Sequence, residues 1–388
     1  MNTMSEYQLS DGVVRGARDE GARTQAAMKV SPRAKILEIT SYPPPRAGWG
    51  VRVEFLKKHL HEAGHECVVL NIGRSRKIAS SEYETVLSGM DYVRKVWRFA
   101  RAGFITHVHV NGASAKGLVL TLTAQALNLV CGKRCILTFH AGIDQIYFPR
   151  EKAPRLRRIF WLMFMLPRTI ICNSEAVKAK IQEYGVPADK IHPIPAFSCQ
   201  YLQGEAASLD DRLEAFYERF ESVVLTYVRI RSGFYLEVLV EGFARLAARR
   251  PDVGLVVCGV AGDIEPGPLR EVQRLIAQYS LADRILIVDD LPHERFLAAL
   301  RRSALYLRTP TSDGVASSVL EALALGVPVV ASENGSRPPG TMTYPPNNPD
   351  ALAEAVDAVL TNPEDVRAAI PPVPVHDTLG DEAALLTA

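Results

Sequence analysis

Asp313 and Glu321, with seven residues between them, stand where a turn passes into a helix, and Gly326-Val327-Pro328-Val329-Val330 follows at once. Asp313-Gly314 reads as the turn, Ser317 and Ser318 as caps, residues 319–325 as the helix, Gly326 as its stop and Pro328 as the entry to a strand. Such a socket sets unpaired backbone N–H groups, which attract anions, beside a carboxylate able to accept hydrogen bonds from vicinal hydroxyls. Phosphate and ribose together are the chemistry it suits. An isolated Asp…Glu pair is commonly just a surface turn before a packed helix; the attached Gly-Val-Pro-Val-Val run gives this one its functional weight.

Polar residues recur at other strand ends. His140 closes ILTFHAG and is followed by Gly142, where a polar side chain faces a cleft more readily than a core. His107 and His109 alternate in THVHVNG; His109 reads as packed behind a site, and Asn111 and Gly112 as a further cleft loop. Gly48 and Gly50, in a Pro-rich loop after the first strand, would let backbone approach a phosphate or sugar and adopt positive φ. The missing third glycine and the length of that loop argue against a dinucleotide fingerprint.

These residues need a scaffold. From residue 34 short β-rich runs alternate with helical stretches, the pattern of a parallel doubly wound sheet, with strands expected at 35–39, 66–71, 106–110, 135–140, 169–173 and 191–194. The pattern breaks over 195–221 and restarts with strands at 223–228, 253–258, 285–288, 304–308 and 327–331. The expected architecture is α/β, with two Rossmann-like domains, 33–200 and 222–370, joined by a linker at 201–221 and facing a central cleft that takes ligands at the carboxyl ends of the strands. Residues 1–32, polar and without an apolar core segment, read as a disordered tail, and the Pro-rich 371–388 as a C-terminal tail.

Composition agrees. A chain of 388 residues, 47% hydrophobic, exceeds what one core normally supports. Lys and Arg number 45 against 43 Asp and Glu, a net charge of +2, so no strongly basic face points to nucleic acid. The six cysteines are scattered without a Cys-x-x-Cys pair, which fits buried thiols in a reducing cytoplasm and no metal site. The apolar run IFWLMFMLP at 159–167 falls far short of the roughly 20 residues a spanning helix needs.

The 313–331 segment closely resembles the Glu-x7-Glu signature of family 4 glycosyltransferases of the GT-B fold, with Asp313 in place of the first Glu and Glu321 keeping the second. The likeness extends from about residue 35 to 360 and is strongest in the last third. It implies a retaining, metal-independent glycosyltransferase without a cofactor, moving a sugar from a nucleotide-diphosphate donor to a hydroxyl acceptor, lipid-linked acceptors being common among relatives. It also implies work in cell-envelope polysaccharide synthesis at the cytoplasmic side of the membrane. By the same resemblance Glu321 holds the ribose, Asp313 and His140 lie beside the transferred sugar, and Arg229 grips the diphosphate. Arg231 is the nearest substitute for a lysine that the family carries after that arginine. Gly259, with Gly262-Asp263, matches a turn near the nucleotide base.

Three readings stay open beside transfer: an epimerase, a phosphorylase, and a non-catalytic sugar-nucleotide or polysaccharide-assembly module. The replaced Glu, the missing lysine and the short C-terminus all depart from the family pattern. Arg155, Arg157 and Arg158 before the aromatic run, and Arg94, Lys95, Arg98 and Arg101 around VWRFARAGF, suit peripheral contact with anionic headgroups and equally suit ordinary amphipathic helices.

Overall fold

The computed structural model describes residues 33–43, 48–140, 142, 145–203, 207–259, 264–311, 315–374 and 376–388. Asp313, Gly314, the Gly262-Asp263 turn and the expected N-terminal tail at 1–32 lie outside the described residues.

Seven strands form the first sheet: β1 (Lys35–Thr40), β2 (Glu66–Asn71), β3 (Glu84–Thr85), β4 (Ile105–Val110), β5 (Ile136–Phe139), β6 (Thr169–Cys172) and β7 (Ile191–Pro193). Their spatial order is β3-β2-β1-β4-β5-β6-β7, with every pairing parallel. The second sheet holds β8 (Ser222–Tyr227), β9 (Val253–Cys258), β10 (Ile285–Ile287), β11 (Leu305–Arg308), β12 (Val329–Ser332) and β13 (Thr341–Tyr344), in the order β10-β9-β8-β11-β12-β13. Central strands are apolar because helices cover both faces; all six residues of β9 are buried. The chain therefore has two parallel-sheet Rossmann-like lobes, a GT-B arrangement. β3 and β13 add an edge strand to each sheet beyond those expected. Each is short, and β13 follows a Pro- and Gly-rich stretch that carries no strand pattern.

Two expectations about connections need correcting. The linker at 201–221 contains the helix Asp211–Arg219, whose Asp210 side chain accepts from the Leu213 N–H and whose Leu213, Phe216 and Tyr217 enter the second lobe's core. Nor is the C-terminus a tail. Thr378–Thr387 is a helix capped by Asp377, and its Leu379, Ala383 and Leu386 pack with Ile36, Leu56, Leu60 and Ile136 of the first lobe. Arg52, 3% exposed, anchors it through Glu382 at 2.5 Å and the Thr378 carbonyl at 2.9 Å. Leu379, Ala383, Leu386 and Glu382 lie on one face of that helix, at the helical spacing that the Pro-rich approach to it concealed. This crossing back helps to make residues 34–388 one compact unit.

Candidate active site

A cavity of about 330 Å³ opens between the lobes at the carboxyl ends of their strands. From the first lobe Gly48, Trp49 and His140 line it; from the second, Tyr227, Arg308, Ser317, Ser318 and Glu321. His140, Ser317, Ser318, Glu321 and Gly48 are thus brought together as the sequence suggested, from positions up to hundreds of residues apart.

The cleft helix Ser317–Ala324 starts without a side-chain cap, since Ala316 occupies the cap position. Ser317 and Ser318 are therefore its first residues and not its caps, and the Ser318 hydroxyl accepts from Tyr306 at 2.8 Å. An uncapped helix start leaves its first N–H groups for a ligand. One turn on, Glu321 is 4% exposed, and burial pushes its carboxyl up to about 8. Among the described residues nothing hydrogen-bonds that carboxyl. A buried acid without a partner at the wall of a cavity is costly unless a ligand completes it.

His140 follows β5, held by its own N–H to the Val110 carbonyl at 2.8 Å. Its ring meets Trp49 edge-on at 4.7 Å, and its Nε2 lies 2.8 Å from His109 Nδ1. Behind it, His109 Nε2 is 2.7 Å from Glu38, which also contacts His107 Nδ1 at 2.9 Å, and His107 Nε2 is 2.7 Å from the Thr138 hydroxyl. Parallel register sets Glu38 of β1 beside His107 of β4, and the two-residue period of a strand puts His109 on the same face. Glu38, His107 and His109 are of metal-ligating type. Their O–N separations of 2.7 and 2.9 Å are nonetheless hydrogen-bond distances, shorter than the roughly 3.3 Å between two ligands of a tetrahedral zinc ion.

The glycine expectations change. Gly48 and Gly50 sit in the first turn of the helix Gly48–Glu62 rather than in a loop with positive φ. Gly50 serves close packing, for a Cβ there would come 3.2 Å from the Ser41 carbonyl oxygen. Gly259 has φ +88°, and a Cβ would meet the Tyr227 ring at 2.7 Å, so it seats a cavity-lining tyrosine from behind. Tyr227 is further fixed by its hydroxyl donating to Asp290 at 2.9 Å and its carbonyl accepting from Arg308 at 2.6 Å.

Arg229 and Arg231 follow β8, half-buried and outside the cavity wall proper. The Arg231 guanidinium lies 5.0 Å over Phe234 and is pulled below its ordinary value by burial, then by the charges of Arg229 and of Arg74 from the first lobe. Positive charge from both lobes therefore converges beside the cleft. Sequence reasoning missed Trp49, Tyr227, Arg308 and Arg74, which carry no motif. It also missed Glu38, although a lone acid inside the apolar KILEIT strand was a visible signal.

Sequence comparison fits this geometry. The profile of the family described as Glycosyltransferase Family 4 matches residues 47–197, and that of Glycosyl transferases group 1 matches residues 218–371. The chain belongs to the group 1, family 4 glycosyltransferases. Among curated relatives of this family member, the D-inositol 3-phosphate glycosyltransferase of Nocardia farcinica is 27% identical over 172 residues, 43% of this chain. That match spans 38% of the relative's own length. In fold, it resembles the crystal structure of Anabaena Alr3699/HepE in complex with UDP and glucose, at TM-score 0.68 and 15% identity, over 91% of this chain and 99% of that one. The UDP-GlcNAc 2-epimerase of Neisseria meningitidis bound to UDP-GlcNAc also resembles it, at TM-score 0.61 and 14% identity, over 91% and 99%. Among the described residues no helix is long and apolar enough to cross a membrane.

Proposed function

We propose that this family member transfers a sugar from a nucleotide-diphosphate sugar to a hydroxyl acceptor, with retention and without a metal ion or cofactor. The observation that carries the reading is the placement of an unpartnered buried acid, Glu321, one turn beyond an uncapped helix start and across a cavity from His140. The ribose hydroxyls donate to Glu321. The helix start, Arg229 and Arg231 take the diphosphate charge. His140, with Asp313, orients the sugar, while closure of the two lobes over the donor would limit water.

In the reaction the bond from the anomeric carbon to the diphosphate oxygen breaks and a bond to the acceptor oxygen forms on the same face. The acceptor proton passes to the departing phosphate oxygen, which leaves as nucleoside diphosphate. The chain's contribution is mostly electrostatic, since fixed donors aimed at developing charge cost no reorganisation.

The acceptor side would work at the cytoplasmic membrane face in envelope polysaccharide synthesis, with the helix Arg157–Met165 as the contact. Arg155, Arg157 and Arg158 stand exposed there beside Ile159, Trp161 and Leu162, of which Trp161 is 46% exposed. The basic helix Gly89–Arg101 suits this less. Its Arg98 is committed to both oxygens of Glu84 at 2.7 Å, and its Lys95 to Asp91 at 3.1 Å.

A panel of UDP-, GDP- and ADP-sugars, screened by thermal shift and then by turnover with and without EDTA, tests the reading. Expected are nucleoside diphosphate release and an anomer of unchanged configuration. An epimerised nucleotide-sugar, or the epimerised sugar released from it, would establish the epimerase alternative, and tight binding without turnover the non-catalytic one. Co-sedimentation with anionic vesicles, lost on Trp161→Ala with Arg157→Glu, tests the membrane face; unchanged sedimentation removes it.

A further inference from the structure

The chain Glu38–His109–His140 runs from inside the first sheet to the cavity wall, and its protons can be counted. Burial alone would favour a neutral Glu38, but His107 and His109 outweigh it and hold the carboxyl near 2, so it accepts from both rings. His107 Nδ1 and His109 Nε2 must then each carry a hydrogen. Burial and the neighbouring His107 keep His109 below its ordinary value, and burial followed by His109 does the same, more strongly, to His140. A neutral His109 with hydrogen on Nε2 has a bare Nδ1. That atom, 2.8 Å from His140 Nε2, can only accept. Neutral His140 therefore carries its hydrogen on Nε2 and keeps Nδ1 bare.

We propose that Glu38 and His109 are positioning residues that dictate the tautomer of His140, so that His140 presents a hydrogen-bond acceptor to the cleft. Nε2 is taken by His109, so the ring atom left for a ligand is Nδ1. A sugar hydroxyl then gives its hydrogen to Nδ1. The near-parallel planes of the two rings, 12° apart, suit an in-plane N–H···N bond, and Trp49 edge-on to His140 restrains the ring from turning. Against burial, the Glu38 carboxylate raises His107, 2.7 Å from Thr138, above its ordinary value, so the pull of the carboxylate falls most on the ring away from the cleft. Arg52 and Glu382, the latter 3.9 Å from His107, are the other charges facing the group and form their own ion pair.

Only the role given to Nδ1 rests on the transferase reading; the tautomer does not. Long-range ¹H–¹⁵N spectra of histidine-labelled full chain read it directly, with His140 assigned from the spectrum of His140→Gln. Wild type at pH 7 is expected to show His140 protonated at Nε2 and bare at Nδ1. In Glu38→Gln the new amide N–H₂ can donate to His109 Nε2, which moves the hydrogen of His109 to Nδ1 and that of His140 to Nδ1. With donor sugar this variant is expected to lose about tenfold or more in kcat/KM, the usual consequence of an acceptor replaced by a donor. Wild-type His140 protonated at Nδ1 overturns the proposal without any variant, as does full kcat/KM in a folded Glu38→Gln whose His140 tautomer has moved. Absence of turnover in wild type with every donor would sink the transferase reading instead, leaving the tautomer result to stand.

Discussion

Each lobe buries a carboxylate close to the cleft, and the two meet opposite fates. Glu38 of the first lobe is enclosed by His107 and His109, which overcome burial and hold it ionised near 2. Glu321 of the second lobe has no such partner among the described residues, and burial pushes it to about 8. Both are essentially hidden from solvent, so depth is not what separates them. The difference lies in whether the protein supplies the hydrogen-bond donors. Where it does, the acid is part of the scaffold and acts through the imidazoles it orders; where it does not, the acid is held for a ligand.

Removing each acid should separate the roles most sharply. Glu38→Ala leaves the buried His107 Nδ1 and His109 Nε2 hydrogens without their acceptor and should cost about 2–5 kcal/mol in urea denaturation, whereas Glu321→Ala should cost far less. Equal losses would erase the distinction. The pH dependence comes next. Between its ordinary 4.5 and about 8 the folded chain holds a proton on Glu321 that the unfolded chain releases, so this contribution is complete below 4.5 and lost as pH rises through 8. Relative to Glu321→Gln, the unliganded wild type should lose about 2–4 kcal/mol between pH 5 and pH 9. Parallel stability curves for the two proteins would show that the acid is not held neutral.

Ligand binding probes the comparison from the other side. Glu321→Gln should weaken nucleotide-diphosphate sugar binding about tenfold by calorimetry, and Glu38→Gln should leave binding of the nucleoside diphosphate alone unchanged. If Glu38→Gln weakened the nucleotide as much, the first-lobe acid would belong to donor binding as well. The smallest effect concerns the strand end that carries Tyr227. Gly259→Ala forces a Cβ into that ring at positive φ and should cost roughly 1–3 kcal/mol, read as a lowered Tm.

Much of this was legible before any coordinates. The alternation of β-rich and helical runs foretold two parallel-sheet lobes, because a strand buried on both faces writes itself as an apolar run. The turn-helix-strand around Glu321 was readable because local chemistry, glycine as a stop and proline at a strand entry, operates within a few residues. The capping role of Ser317 and Ser318 was misjudged, since an N-cap is decided by a single residue's backbone and Ala316 takes that place. Gly48 and Gly50 read as part of the Pro-rich loop before them, yet the helix already begins at Gly48, and at Gly50 the closeness of Ser41 is what calls for glycine.

By itself, then, the amino-acid order determined which segments become strands and helices and which polar residues end them, because those preferences act between near neighbours. Tertiary structure alone decided that Glu38 meets two histidines about 70 positions away, that Arg52 reaches Glu382 across 330 positions, and that the buried Glu321 carboxyl hydrogen-bonds to none of the described side chains. Whether a buried charge is satisfied depends on which donors the fold carries to within 3 Å of it, and no local pattern records that distance.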